Sequence, residues 1–135
     1  MFEFHGWANI IANGDDDVDT MTLEALVAEL RLRWAPLAES CNGRFEIVEG
    51  VNGQAHLLLT GFHNHRDPRI RELFDWIAAN QPHSYGILHV WDDESTDSNA
   101  FISHAVARGR VTSVVDSQLS PCIPKLEAPY VDKEQ

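Results

Sequence analysis

The chain has 135 residues, 44% of them hydrophobic and 23% charged, which is the balance of a single globular domain in water. Its 21 acidic and 10 basic residues give a formal net charge of −11, so the protein repels nucleic acid phosphates and anionic membranes and attracts basic partners. No segment is apolar over the length of a membrane span, and the two cysteines form no CxxC pair. We therefore expect a cytoplasmic protein with reduced thiols.

The first half of the chain predicts a strand, a helix and a hairpin. Residues 2–12 are rich in aromatic and branched side chains and place Phe4 and Trp7 on opposite faces, which predicts a strand buried at least partly on both faces. From about residue 20 to residue 40, apolar side chains recur at the three- and four-residue spacing of an amphipathic helix. Two apolar runs then flank Asn52-Gly53, a pair that takes positive φ easily and predicts a hairpin turn.

The second half predicts another helix, a strand and a second hairpin. Asp67 is placed as the N-cap and Pro68 as the first residue of a helix that Pro82 ends. The stretch SYGILHVWDD, residues 84–93, is apolar on both faces until its acids, which is typical of a central strand. Two further runs turn at Arg108-Gly109-Arg110.

The element order is therefore β-α-β-β-α-β-β-β. Hairpins favour antiparallel pairing, so we predict an α+β, two-layer domain. It has a mainly antiparallel sheet of about six strands with two helices on one face. We place this single domain at residues 1–127 and a loosely ordered tail at 128–135.

The sequence offers one candidate metal site. His63 and His65 have one residue between them, so an extended chain would place both imidazoles on one side, and Asp67, His89 or Asp92 could supply the third ligand that a catalytic zinc needs. The alternative is a strand end with exposed histidines leading into a capped helix, and we favour it. Glycine-rich phosphate loops, HExxH and GxSxG are absent from the sequence. We expect no cofactor.

Acidic residues concentrate in two segments. The first has acids at alternate positions but no downstream glycine and glutamate of a calcium loop, and the second lacks the alternate spacing. Both are therefore either solvated loops or a surface for a basic partner. The first segment contains Asp15, Asp16, Asp17 and Asp19, and the second contains Asp92, Asp93, Glu94 and Asp97.

The stretch DSQLSPCIPKLE, residues 116–127, places Cys122 between two prolines. Pro121 and Pro124 cannot donate hydrogen bonds to a sheet and favour extended neighbours. The nearby sequence offers only Lys125 to lower the pKa of a thiol. We therefore interpret the segment as a rigid strap crossing the fold rather than as a site with a reactive thiol.

Three stretches together resemble the immunity protein 7 family of bacterial polymorphic toxin and contact-dependent inhibition systems. They are EFHGW near the start, YGILHVWDDE in the middle and ARGRV followed by DSQLSPCIPKLE near the end. The resemblance implies a non-enzymatic cytoplasmic antidote that binds the C-terminal toxin domain of a sibling cell's effector. Most of the shared residues are expected to maintain the fold, and they are His5, Gly6, Trp7, Tyr85, Gly86, Asp92, Asp93, Ser120, Pro121, Cys122 and Pro124.

Together these features predict a protein that neutralises a cognate toxin domain by covering its active groove with an acidic surface. The acidic charge favours a nuclease as the toxin, because nuclease grooves are basic. Two alternatives remain open: a small metal-dependent hydrolase that uses His63 and His65, and an interaction module that needs no toxin. An exposed edge strand in the last hairpin would permit a homodimer.

Overall fold

The computed structural model describes residues 1–12, 22–40, 42–51 and 53–127, so the predicted tail at 128–135 lies outside the described residues. The elements follow the predicted order. They are β1 (Phe2–Ile11), α1 (Leu23–Ala38), β2 (Asn42–Val51), β3 (Gln54–His63), α2 (Pro68–Asn80), β4 (Tyr85–Asp92), β5 (Ile102–Ala107) and β6 (Arg110–Val115).

All six strands form one antiparallel sheet in the order β2-β3-β1-β4-β5-β6. The first strand lies in its middle, paired with β3 along its whole length and with β4 from Phe2 to Asn9. This position fits a strand buried at least partly on both faces, because Phe4 is fully buried on one face and Asn9 is only 5% exposed on the other. The predicted α+β class is confirmed.

The core lies on one face of this sheet, which we call the inner face. Phe4 on β1 meets the edge of the Trp34 ring from α1, and Trp34 stacks on Phe45 of β2. Two residues along β1, Gly6 faces Phe74 of α2. Because residues 4 and 6 of a strand point the same way, both helices cover the same face, as predicted.

Both helices begin where the chain offers a capping oxygen. Thr22 Oγ1 accepts from the amide of Ala25, and Asp67 Oδ1 accepts from the amide of Arg69. Asp67 and Pro68 thus occupy the predicted first positions of α2. Among the described residues, no helix is long and apolar enough to cross a membrane.

Glycine fixes two close features of the sheet. The hairpin between β5 and β6 turns at Arg108 and Gly109, with φ of 53° and 75°, as two-residue hairpin turns require. Gly86 on β4 lets two backbones approach closely, because a Cβ there would lie 2.2 Å from the carbonyl oxygen of Trp7 on β1.

Candidate partner-binding surfaces

The loop between β4 and β5 carries the second acidic segment, and Asp92 shapes it. Its side chain is only 11% exposed, with Oδ1 accepting from the amide of Glu94 at 3.0 Å and Oδ2 lying 3.7 Å from Nε of Arg66. The Asp92 carbonyl also accepts from the hydroxyl of Ser95 at 2.8 Å. Asp92 thus holds the start of the loop, and a partner would reach little of its carboxylate.

The remaining acids of this loop face water. Glu94 is 57% exposed and accepts a hydrogen bond at 2.6 Å from Nδ1 of His65. Asp97 and Asp93 are exposed. The Asp93 backbone amide donates to the carbonyl of Met1 at 3.1 Å, and Asp93 Oδ1 accepts from the N-terminal ammonium group of Met1 at 2.5 Å. Backbone bonds and the His65 contact therefore present three carboxylates from one short, tethered loop. We call Asp93, Glu94 and Asp97 the acidic loop.

Asp15, Asp16, Asp17 and Asp19 lie outside the described residues. The last described residue before them, Ala12, follows the C-terminal end of β1, whereas the acidic loop begins beside Phe2 at the opposite end. The strand has 10 residues, so at about 3.3 Å per residue its ends are about 30 Å apart. The two acidic segments are therefore attached to the sheet far from each other.

The two histidines of the candidate metal site do not meet a third ligand. His63 Nδ1 lies 2.8 Å from the carbonyl oxygen of His65, and His65 faces Glu94. Asp67 is held by Arg69, and His89 is bonded to the Ser103 hydroxyl at 2.8 Å. Within the described parts of the chain, no group of three or more His, Cys, Asp or Glu side chains is placed to hold a metal ion.

The segment after β6 closes into a compact loop. Ser120 is buried, and its hydroxyl accepts from the amides of Lys125 and Leu126 at 3.2 and 3.1 Å. The amide of Ser120 in turn donates to the carboxylate of Glu127. This hydrogen bond, with others from the backbone, lowers the pKa of Glu127 below its ordinary value. Residues 120 and 127 thereby join the two ends of the segment that contains Pro121, Cys122 and Pro124.

This closed loop is attached to the acidic loop through Asn99. Asn99 Oδ1 accepts from the amides of Cys122 and Ile123 at 2.9 and 2.8 Å, and its Nδ2 donates to the carbonyl of Ile123 at 2.9 Å. The Cys122 thiol is exposed and lies 3.6 Å from the carbonyl oxygen of Ser98, while Cys41 lies outside the described residues. Sequence reasoning missed Asn99, because nothing near it in the chain indicates a partner 24 residues away.

The face of the sheet opposite the helices, the outer face, carries large exposed apolar side chains. Trp7 is directly opposite Leu58 on β3 and Ile87 on β4, and its ring meets the Tyr85 ring edge-on at 6.0 Å. We call Trp7, Leu58, Phe62 and Tyr85 the outer apolar patch; each side chain is between 44% and 49% exposed.

Residues shared with the suspected family thus lie on both faces of the sheet. Gly6 and Gly86 face the core, where the space for a Cβ is already filled. His5 lies on the outer face, 2.6 Å from the hydroxyl of Thr60 and 2.8 Å from the carboxylate of Glu3. Trp7 and Tyr85 also lie there, outside the core.

A family model described as immunity protein 7 matches residues 1–128. The chain belongs to the immunity protein 7 family. It is therefore an immunity protein of a toxin system, and its partner is a toxin protein. No curated protein and no solved structure matches the chain.

Proposed function

We propose that this immunity protein neutralises the C-terminal domain of a cognate polymorphic toxin by covering its active groove, without catalysis or a cofactor. The toxin we propose is a nuclease delivered by contact-dependent inhibition, and the immunity protein meets it in the cytoplasm. The observation that supports this mechanism is the acidic loop. Its three exposed carboxylates sit on a loop that is bonded to Met1, to His65 and, through Asn99, to the closed loop at residues 120–127.

Electrostatics gives the proposal its physical basis. A nuclease groove attracts phosphates with basic side chains, and carboxylates can take the place of those phosphates. A protein with a net charge of −11 is drawn towards such a groove from a distance of about a Debye length. A fixed loop loses little conformational freedom when it docks, so more of the attraction is available for binding.

The first experiment asks whether the protein is an antidote. The cognate toxin domain is co-expressed with this protein, and we expect growth to be rescued and a complex to co-purify. Continued toxicity with the folded immunity protein present would contradict the proposed function.

The second experiment tests the acidic mechanism through association rates. The triple variant Asp93→Asn, Glu94→Gln, Asp97→Asn is compared with a control that carries Glu24→Gln, Glu39→Gln and Glu49→Gln, exposed positions outside the acidic loop. Each variant removes three negative charges and changes the net charge from −11 to −8. A difference between their association rates therefore depends on where the charges lie and not on the total charge. We expect the acidic-loop variant to associate about tenfold more slowly at low salt and to show a weaker salt dependence.

A further variant replaces Asp15, Asp16, Asp17 and Asp19 with Asn and Ser. If both acidic-segment variants associate with the toxin as fast as the unmodified protein at every salt concentration, the acidic mechanism is wrong even where protection persists. A toxin that acts on something other than nucleic acid would remove the argument from phosphate mimicry.

A further inference from the structure

The outer apolar patch lies across the middle of the sheet and has no role in the core. Its members come from β1, β3 and β4, and Trp7 stands between Leu58 and Ile87. Both helices pack on the inner face, so these side chains remain 44% to 49% exposed. A group of large apolar side chains at the centre of a face is typical of an interaction surface.

The aromatic rings of this patch are held in place before any partner arrives. Asn9, which is 5% exposed, donates through Nδ2 to the hydroxyl of Tyr85 at 3.0 Å and to Oε1 of Gln54 at 2.8 Å. Tyr85 in turn supports the edge of the Trp7 ring. Rings that are already fixed lose little side-chain entropy on binding, and Trp and Tyr often dominate the binding energy of interfaces.

Shallow hollows border the patch on two sides and could receive side chains of a partner. One has a volume of about 250 Å³ between β2 and β3, where it is lined by Arg44, Glu46, Leu58 and Thr60 among others. Another has a volume of about 280 Å³ and is lined by His5, His89, Phe101, Asp116, Gln118 and Leu119. The outer face is therefore not flat, and a partner of complementary shape can fill these hollows.

Charge decides between a second copy and a different partner. Two copies that each carry −11 repel one another, whereas a basic protein is attracted. The acidic loop begins at one end of β1, and the residue before the other acidic segment follows its other end, so the patch lies between the two points of attachment. An apolar centre with charged surroundings is the usual anatomy of a protein interface.

We propose that the outer apolar patch is the centre of the toxin interface and receives a cluster of apolar side chains flanked by basic residues on the toxin. This proposal rests on the proposed function and adds the face of the molecule that binds. It also separates the contributions of the aromatic and the acidic side chains to binding. Desolvated aromatic contacts mainly slow dissociation, whereas exposed charges mainly speed association.

The test uses the full chain and its toxin domain in binding measurements. Trp7→Thr and Leu58→Thr remove patch side chains while keeping a residue suited to strands. The control is Leu32→Gln, which removes an exposed apolar side chain from α1. We expect Trp7→Thr to raise Kd about 30-fold or more through faster dissociation with an unchanged salt dependence, and Leu32→Gln to change Kd less than about twofold.

A second measurement needs no variant and therefore does not depend on variants that fold. Hydroxyl radicals label exposed aromatic and aliphatic side chains, and mass spectrometry compares the free immunity protein with the complex. We expect labelling of Trp7, Tyr85 and Leu58 to fall severalfold in the complex, and labelling of Leu32 to stay the same.

The possible outcomes show whether this inference fails alone or together with the proposed function. Protection and tight binding that survive Trp7→Thr and Leu58→Thr, with unchanged labelling of the patch, would overturn the inference and leave the proposed function standing. Absence of toxin binding by the unmodified protein would overturn both. A concentration-dependent dimer that Trp7→Thr dissociates would assign the patch to a second copy and also overturn the inference.

Discussion

Replacing Gly86 with alanine tests how closely β4 packs against β1. The added Cβ would lie 2.2 Å from the carbonyl oxygen of Trp7 and 2.6 Å from the Cα of Ala8. Ordinary contacts between carbon atoms are about 3.5–4.0 Å, so one backbone would have to move by about 1 Å. That movement would disturb the β1–β4 pairing at the centre of the sheet.

Gly6 provides the matched comparison on the same face. A Cβ at Gly6 would lie 2.8 Å from Cζ of Phe74, the far end of a side chain that can turn, and 3.2 Å from the nearest backbone atom, the carbonyl oxygen of Ile87. Both substitutions restrict the unfolded chain similarly. We therefore expect Gly86→Ala to lower the free energy of unfolding by about 3 kcal/mol and Gly6→Ala by about 1 kcal/mol.

Urea unfolding followed by tryptophan fluorescence measures the difference. With an m value of about 1.5 kcal/mol per molar urea, the Gly86→Ala midpoint should fall by about 2 M and the Gly6→Ala midpoint by less than about 1 M. The loss at Gly86 is a large share of the roughly 5–15 kcal/mol that stabilises a domain. Equal midpoints for the two variants, or a smaller effect at Gly86, would refute the argument from backbone contact.

Three further predictions concern polar groups that the fold uses. Asp67→Ala should cost about 1–2 kcal/mol by removing the cap of α2 and the Arg69 contact, with Asp67→Asn costing less, as measured by urea unfolding. The Arg69 hydrogen bond lowers the pKa of Asp67, so this contribution is present at neutral pH and should be lost as pH falls below about 4; a pH-independent difference from Asp67→Asn would contradict it. Burial is the main cause that lowers the pKa of His104, and the nearby positive charge of Arg71 adds to it. As pH drops below about 6.5, the unfolded chain therefore binds a proton at His104 before the folded chain does, and the free energy of unfolding should fall. The free energy of unfolding should depend less steeply on pH in His104→Gln, and an equal dependence would show that His104 does not cause the loss. Ser120→Ala should speed hydrogen exchange of the Lys125 and Leu126 amides about tenfold, against unchanged exchange in the sheet, and equal rates at those amides would mean that the hydroxyl does not close the loop.

The fold was predictable because local chemistry and long-range packing agree along most of this chain. Three local signals each specify one structure that the fold contains. They are the alternating side chains in residues 2–12, the Asp67-Pro68 start of α2 and the turn at Arg108-Gly109. The strand order inside the sheet did not follow from these signals. It depends on the pairing of β1 with both β3 and β4, which are far from it in sequence.

The candidate surfaces were less predictable, because the face of the sheet that stays exposed depends on which side the helices cover. Alternation separates Phe4 from Trp7 in the sequence, but only the packing of Trp34 and Phe74 makes the Phe4 side the core. Trp7 and Tyr85 lie half exposed on the other face, a placement that the alternation alone does not decide. Asp92 likewise has the sequence context of a surface acid, yet its side chain is mostly buried because it lies beside Phe2 on the inner face, where it also bonds to its own loop.

In the complex that we propose, the acidic residues and the aromatic residues have different physical tasks. Exposed carboxylates act through water over about 8–10 Å, so they can speed the approach of a basic toxin and weaken as salt rises. The Trp7 and Tyr85 rings act only at contact, where burying apolar area contributes about 25 cal/mol per Å² and is insensitive to salt. A toxin variant with a less basic groove should therefore associate slowly but dissociate at the usual rate. A variant that loses its apolar contact should do the reverse.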